Sequence, residues 1–162
     1  MKLWKKTEKI LRFVTVLIAL AIAIFSPVYE YRQMGRYAQS LPNAERAAFA
    51  IAGILIYVLA MLPAAFLALA LGVWLLSATT KLGTAEGYSK KRLYVRLIVL
   101  RFCLVVVYAY LCAMDIAMCK TPRFGTFVYV FGCLVFAFSA ILSICLKRNL
   151  TEETETTKEL EE

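Results

Sequence analysis

Residues 47–78 read AAFAIAGILIYVLAMLPAAFLALALGVWLLSA, a run of 32 residues without one charged side chain. A membrane-spanning helix needs about 20 mostly apolar residues, so this run can cross a bilayer with length to spare. Three further apolar blocks lie at Phe13–Val28, Leu97–Cys119 and Thr126–Leu146. The pattern predicts an all-α, polytopic membrane protein whose four transmembrane helices form a bundle.

The composition excludes an ordinary soluble domain. Hydrophobic residues make up 62% of the chain and charged residues 19%, whereas a soluble domain is about 45–50% apolar and about 25% charged. We predict one transmembrane domain over residues 1–148. Its spans are expected near residues 11–29, 47–78, 97–119 and 126–146. Residues 149–162 hold six glutamates and one lysine, which predicts an acidic cytoplasmic tail that is frayed or disordered.

The first apolar block allows two interpretations. Five basic residues precede it, and Ala21 and Ala23 resemble the small residues near a signal-peptide cleavage site. Alternatively, the apolar stretch extends through Tyr29 and remains in the protein as the first span. We favour the retained span, because it gives an even number of spans and a consistent charge pattern.

The distribution of lysine and arginine indicates orientation. Five precede the first span, three lie in the first connection, five or six in the second, two in the third and three after the last span. Because cytoplasmic segments carry the excess of basic residues, both termini and residues 79–96 are predicted to be cytoplasmic, in a bacterial inner membrane. The net charge of +8 therefore indicates orientation and does not predict a nucleic-acid partner.

The expected partners are the lipid bilayer and either another membrane protein or a second copy of the chain. Lys90, Lys91 and Arg92 form a basic cluster in the second connection. Each such charge near an anionic membrane surface contributes about 1 kcal/mol of binding. We therefore expect these three side chains to contact lipid headgroups.

Small residues mark the predicted helix-packing faces. Helices associate in membranes through close packing of small side chains, and residues four apart share one helix face. The second span has four such residues in register, and the fourth span has two at a seven-residue spacing. The predicted packing residues are Ala60, Ala64, Ala68, Gly72, Gly132 and Ser139.

Four residues are candidates for function inside the membrane. Asp115 is the acid expected within a span, and buried ionisable groups are functional candidates because they are costly. Pro63 removes a backbone donor, so a kink is expected near residues 59–63. Tyr57 and Tyr108 lie deep in their spans and need hydrogen-bond partners. Each of the four also has a structural interpretation, as an interhelical contact or a bend.

The short connection after the third span sets the depth of facing residues. Helices three and four form a tight hairpin, in which residues whose numbers sum to about 245 lie at equal depth. Asp115 is then expected to bond Tyr129 or to pair with Lys120, and Cys112 faces Cys133. Arg101 is expected to extend its guanidinium to the cytoplasmic surface.

No set of catalytic residues is recognisable. The chain has no histidine, and its five cysteines are scattered through the spans without a Cys-x-x-Cys motif. Thiol chemistry requires cysteine pairs that water can reach. We therefore expect a protein that is not an enzyme, with no catalytic, cofactor-binding or metal-binding residues and no cofactor.

A set of positions resembles a family of small bacterial four-helix membrane proteins of unknown function. The matching features are Pro63, the Leu75-Leu76-Ser77 step, Ser89 with the basic residues after it, and Leu93, Ile98 and Cys103. They cover about a quarter of the chain. Members are often encoded beside a helix-turn-helix regulator, so the resemblance implies topology without implying a mechanism.

Two functions fit these features. The first is a non-catalytic accessory, regulatory or immunity-type membrane protein that acts through helix–helix contacts. The alternative is a small oligomeric transporter or channel that uses Asp115 and the Pro63 kink. Scarcity of polar residues within the spans favours the first, because a water-filled path needs polar lining.

Overall fold

The computed structural model describes residues 2–84, 87–119 and 123–159. Within them lie five α-helices and one π-helical segment (Tyr57–Met61) that joins the second and third helices. The helices are α1 (Lys2–Ser40), α2 (Asn43–Ile56), α3 (Leu62–Leu82), α4 (Gly87–Cys119) and α5 (Phe124–Glu159). The described residues provide four spans long and apolar enough to cross a membrane, at Lys9–Ser40, Glu45–Leu82, Ser89–Ala117 and Phe124–Cys145. The predicted all-α, four-span fold is confirmed.

The four spans form a closed ring. The second span consists of α2, the π-helical segment and α3. Helix α1 packs against α3 and α5, and α4 packs against the same two helices. Helices α1 and α4 therefore lie on a diagonal of the bundle. The end of the bundle with the α4–α5 connection is called the turn end, and the end with the α3–α4 connection is called the loop end.

Helix α1 continues well beyond the predicted end of the first span. It ends at Ser40, because the following Pro42 disfavours helical geometry at the residue before it. Arg46 closes the turn by donating from Nη2 to the carbonyls of Gln39 (3.1 Å) and Leu41 (3.2 Å). Most of the predicted first loop is therefore helix, and Glu30 lies inside α1.

The π-helical segment lies one turn before Pro63. Proline has no backbone N–H and its ring crowds the carbonyl four residues earlier. The Leu62 N–H bonds to the Tyr57 carbonyl, five residues back. Such a π adjustment is one way in which a membrane helix accommodates a proline. The expected irregularity near residues 59–63 thus takes the form of a π-helical turn.

The bundle interior combines small residues with a few large ones. Ala19, Ala68, Leu104 and Phe136 are fully buried. A Cβ added at Gly72 would lie 3.2 Å from Leu20 Cδ2, so α1 and α3 approach closely there. The first apolar block thus supplies buried residues to the same core as the other spans.

Large apolar side chains cover the outside of the bundle. Exposed examples are Phe25, Ile51, Phe66, Val106 and Phe131. This is the distribution expected of a chain whose solvent is lipid.

At the C-terminal side of the sequence, α5 continues to Glu159. Residues 149–159 are therefore a helical continuation of α5.

Candidate functional site: a buried carboxyl pair

Glu30 lies on the inner face of α1. It follows Ala23 and Ser26 and precedes Met34 on that face, and all four side chains are buried. Steps of three and four residues keep side chains on one side of a helix. Sequence analysis missed Glu30 because it assigned residue 30 to a loop. The signal that identifies it is the continuation of the small-residue face through Ser26.

Two other helices bring polar groups to Glu30. The Tyr129 hydroxyl, from α5, donates to Glu30 Oε1 at 2.7 Å. Asp115, from α4, is 0% exposed, and Glu30 is 1% exposed. The two carboxyl groups are neighbours inside the bundle, close enough to act on each other electrostatically. One acid from α1 and one from α4 thus meet across the diagonal of the bundle.

Asp115 is also tied to the start of α5. Its Oδ2 accepts a hydrogen bond from Thr126 Oγ1, and Thr126 Oγ1 accepts from the Arg123 backbone N–H at 3.0 Å. The Arg123 guanidinium donates from Nη1 to Gln33 Oε1 on α1 at 3.0 Å. The carboxyl pair is therefore connected through Thr126 to the turn end of the bundle.

Tyr29 and Gly125 hold α1 against α5 beside the pair. The Gly125 backbone N–H donates to the Tyr29 hydroxyl at 3.0 Å. A Cβ added at Gly125 would lie 2.5 Å from Tyr29 Cε1, so only glycine leaves room for the ring. A groove of about 340 Å³ opens between α1 and α5 next to this contact, and Ser26 and Tyr129 line its inner side.

Three oxygens of the cluster have no hydrogen-bond donor among the described residues. They are Glu30 Oε2, Asp115 Oδ1 and the Ser26 hydroxyl. Ser26 is 4% exposed. Because a buried polar group without a partner is costly, an arrangement of two carboxyl groups with unused oxygens requires a physical explanation.

The expectation that residues whose numbers sum to about 245 lie at equal depth places Asp115 correctly but predicts the wrong hydrogen-bond partner. Tyr129 lies at the level of the carboxyl pair, as its number predicts, but its hydroxyl bonds Glu30. Asp115 instead bonds Thr126. The other expected partner, Lys120, lies outside the described residues. The reason is that the rule considered only α4 and α5, whereas α1 supplies a competing acceptor.

The two deep tyrosines bridge helices. Tyr57 donates to the Pro27 carbonyl of α1 at 2.9 Å. Tyr108 donates to the Ala19 carbonyl at 3.2 Å and packs its ring 5.5 Å from that of Phe136. Both hydroxyl groups are thus used in contacts between spans. Pro63 itself is exposed on the outside of the bundle.

Arg101 is buried between α4 and α5, contrary to the expected extension to the surface. Its side chain is 0% exposed. The guanidinium donates from Nη1 to the Ser139 carbonyl at 2.9 Å and to the Ser143 hydroxyl. The acceptors on the neighbouring helix make the inward position possible, and sequence analysis did not consider them.

A basic groove of about 470 Å³ lies between α3 and α4 towards the loop end. Lys81, Arg96 and Ser77 line it, together with Trp74. The predicted headgroup-binding residues Lys90 and Lys91 are half-buried on the first turns of α4, and Arg92 is exposed there. The loop end therefore collects basic side chains from both helices.

The predicted packing residues lie at interfaces between spans to different degrees. Ala64, Ala68, Gly72, Gly132 and Ser139 are buried, and Ala60 is half-buried.

Cys112 and Cys133 are half-buried free thiols. Cys133 Sγ donates to the Val105 carbonyl at 3.5 Å. Among the described residues no group of three or more cysteine or acidic side chains forms a metal site.

The chain matches no protein-family model, no curated protein and no solved structure.

Proposed function

We propose that this integral membrane protein is a non-catalytic accessory, regulatory or immunity-type component that acts by contacting another membrane protein or a second copy of itself. The observation that carries the proposal is the use of deep polar side chains as bridges between spans. Tyr57, Tyr108 and Arg101 each donate a hydrogen bond to another helix of the bundle. Interhelical hydrogen bonds of this kind hold the helices of a bundle together. The outer faces of the helices then remain available to contact a partner protein.

Helix α2 is the favoured contact surface. It packs mainly against α1 and the π-helical segment, so most of its circumference is uncovered. Ile51, Ile54 and Leu55 are exposed on it, and so are the small residues Ala48 and Ala52 beside them. Small residues allow two helices to approach closely. This combination suits a helix from another membrane protein.

Photo-crosslinking in the native membrane tests this function. A photoreactive residue at Ile54 is expected to give a discrete protein adduct, because a partner helix covers α2. The matched position is Phe131 on α5, which is equally exposed and is expected to yield lipid adducts. Lipid adducts alone at both positions would contradict a partner on α2, and a protein adduct only at Phe131 would move it to α5.

The alternative is a small oligomeric transporter or channel. One specific observation favours it: the carboxyl pair Glu30 and Asp115 is the type of group that marks proton and cation pathways in membranes. The π-helical turn before Pro63 supplies a second irregular element, of a kind often found at functional sites. Under this alternative, Asp115→Asn abolishes transport while the bundle remains assembled.

We infer that both termini and the α3–α4 connection face the cytoplasm of a bacterial cell, with α1 retained as a span. The basic groups at the loop end support this orientation, because anionic lipids of the cytoplasmic leaflet attract them. A membrane-impermeant thiol reagent should modify Ser89→Cys in inverted vesicles and leave it unmodified in intact cells. Labelling in intact cells would reverse the orientation. The unmutated chain serves as the control for its native cysteines.

The resemblance to small bacterial four-helix membrane proteins is part of the same proposal. Its positions lie mostly in α3 and the first half of α4. The resemblance implies that the chain has a similar topology and acts in a regulatory context. A neighbouring gene for a helix-turn-helix regulator would support this context.

A further inference from the structure

We propose that Glu30 and Asp115 together bind one proton, which they share between Glu30 Oε2 and Asp115 Oδ1. The site lies where α1, α4 and α5 meet near the turn end. It is independent of the proposed function, because it requires no partner protein. Its ligand is a proton taken up from water at the time of folding or assembly.

The hydrogen bonds of the cluster balance when one proton is added. Glu30 Oε1 accepts from the Tyr129 hydroxyl, and Asp115 Oδ2 accepts from the Thr126 hydroxyl. The remaining oxygen of each carboxyl group has no donor among the described residues. One carboxylate takes up the proton and forms an O–H bond, which then donates to the free oxygen of the other. The pair keeps a single negative charge.

Electrostatics favours this state over two ionised acids. Like charges held side by side and away from water repel strongly, so a buried carboxyl pair tends to retain one proton. The shared proton also converts the repulsion into a hydrogen bond between α1 and α4. Those two helices lie on the bundle diagonal and otherwise make few contacts with each other.

The titratable and charged neighbours do not replace the proton. Tyr129 of α5, Tyr57 of the second span and Cys112 of α4 lie near the pair. Phenol and thiol groups have ordinary pKa values of about 10 and about 8.5, so they carry no positive charge that could replace the proton. Arg123, the residue before α5, is the cation that acts on Glu30, and its Nη1 donates to Gln33 Oε1. The Ser26 hydroxyl is buried beside Tyr129 and makes no hydrogen bond to either carboxyl group in the described residues.

The test measures thermal unfolding against pH for the full chain in lipid nanodiscs. The folded protein holds one proton that the unfolded chain releases above the ordinary carboxyl pKa of about 4. Stability therefore falls as pH rises from about 5, until the folded pair itself loses the proton. The unfolding equilibrium constant is expected to increase by up to about tenfold per pH unit. Glu30→Gln keeps the shape, lets an amide N–H donate to Asp115 and should abolish this dependence. Glu45→Gln, at an exposed acid of α2, should retain it.

Other outcomes overturn the proposal. A wild-type profile that is flat with pH, or an unchanged slope in Glu30→Gln, means that the pair holds no proton. Stabilisation of the wild type by sodium at fixed pH, absent in Glu30→Gln, would identify a cation site instead.

A second measurement covers the case in which Glu30→Gln fails to fold. Infrared spectroscopy of the wild-type protein at neutral pH should show the carbonyl band of a buried protonated carboxylic acid. Loss of this band in the Asp115→Asn variant, together with its retention in the Glu45→Gln variant, supports the shared proton. Absence of the band in the wild type contradicts it.

Discussion

Replacing Gly125 with alanine is expected to destabilise the bundle by about 1–3 kcal/mol, the usual cost of overpacking. The added Cβ would lie 2.5 Å from Tyr29 Cε1, so the ring must leave its position against α5. Its hydroxyl then loses the hydrogen bond from the Gly125 N–H. The adjacent Glu30–Tyr129 bond is also weakened, because both contacts join α1 to α5. Unfolding in mixed detergent micelles measures the change.

The matched control is Gly35→Ala on α1. Nothing lies within 4 Å of a Cβ added there, and alanine is favoured over glycine inside a helix by up to about 1 kcal/mol. The change from glycine to alanine should therefore lower the stability of the bundle at residue 125 and raise it at residue 35. Tyr29→Ala added to Gly125→Ala should recover part of the loss, because it removes the clash. Equal effects at both glycines would contradict the close approach of α1 and α5.

The second large effect is expected from Ser143→Val. This substitution removes the hydroxyl acceptor of the buried Arg101 guanidinium. Interhelical hydrogen bonds in membranes contribute about 0.6 kcal/mol on average, but a hydrogen bond from a charged donor contributes more. Arg101 Nη1 keeps the Ser139 carbonyl as an acceptor, so we expect a loss of about 1.5 kcal/mol in the same unfolding assay, at the low end for a charged donor.

The double variant Arg101→Met with Ser143→Val distinguishes a buried charge from a general packing defect. Methionine has a similar volume and no charge, and replacing a buried charged group by an apolar one is often neutral or stabilising. The double variant should be more stable than Ser143→Val alone. If Arg101 extended to the membrane surface, Ser143→Val would change little and the added Arg101→Met would restore nothing.

The sequence predicts the spans well because apolar length is a local property. The run 47–78, the other three blocks and the hairpin after Cys119 are all visible without tertiary contacts. The irregularity before Pro63 is predictable for the same reason, since a proline acts on the turn of helix that precedes it.

The candidate site is harder to predict because its members come from different helices. Glu30 follows the first apolar block and, read alone, resembles the start of a loop. Its burial depends on the extension of α1 to Ser40 and on the Tyr129 hydroxyl opposite. Arg101 is similar, because its inward position depends on acceptors provided by α5. Helical spacing suggests the face on which a residue lies and cannot name the partner across the interface.

The central claim is that polar side chains inside this bundle fasten its helices together and do not line a path across the membrane. Proton and cation flux into proteoliposomes containing the purified wild-type chain tests it most directly. Under imposed pH and sodium gradients, we predict flux equal to that of protein-free liposomes. Flux above this background that Glu30→Gln or Asp115→Asn abolishes, and Glu45→Gln does not, would contradict the claim and establish the transporter alternative.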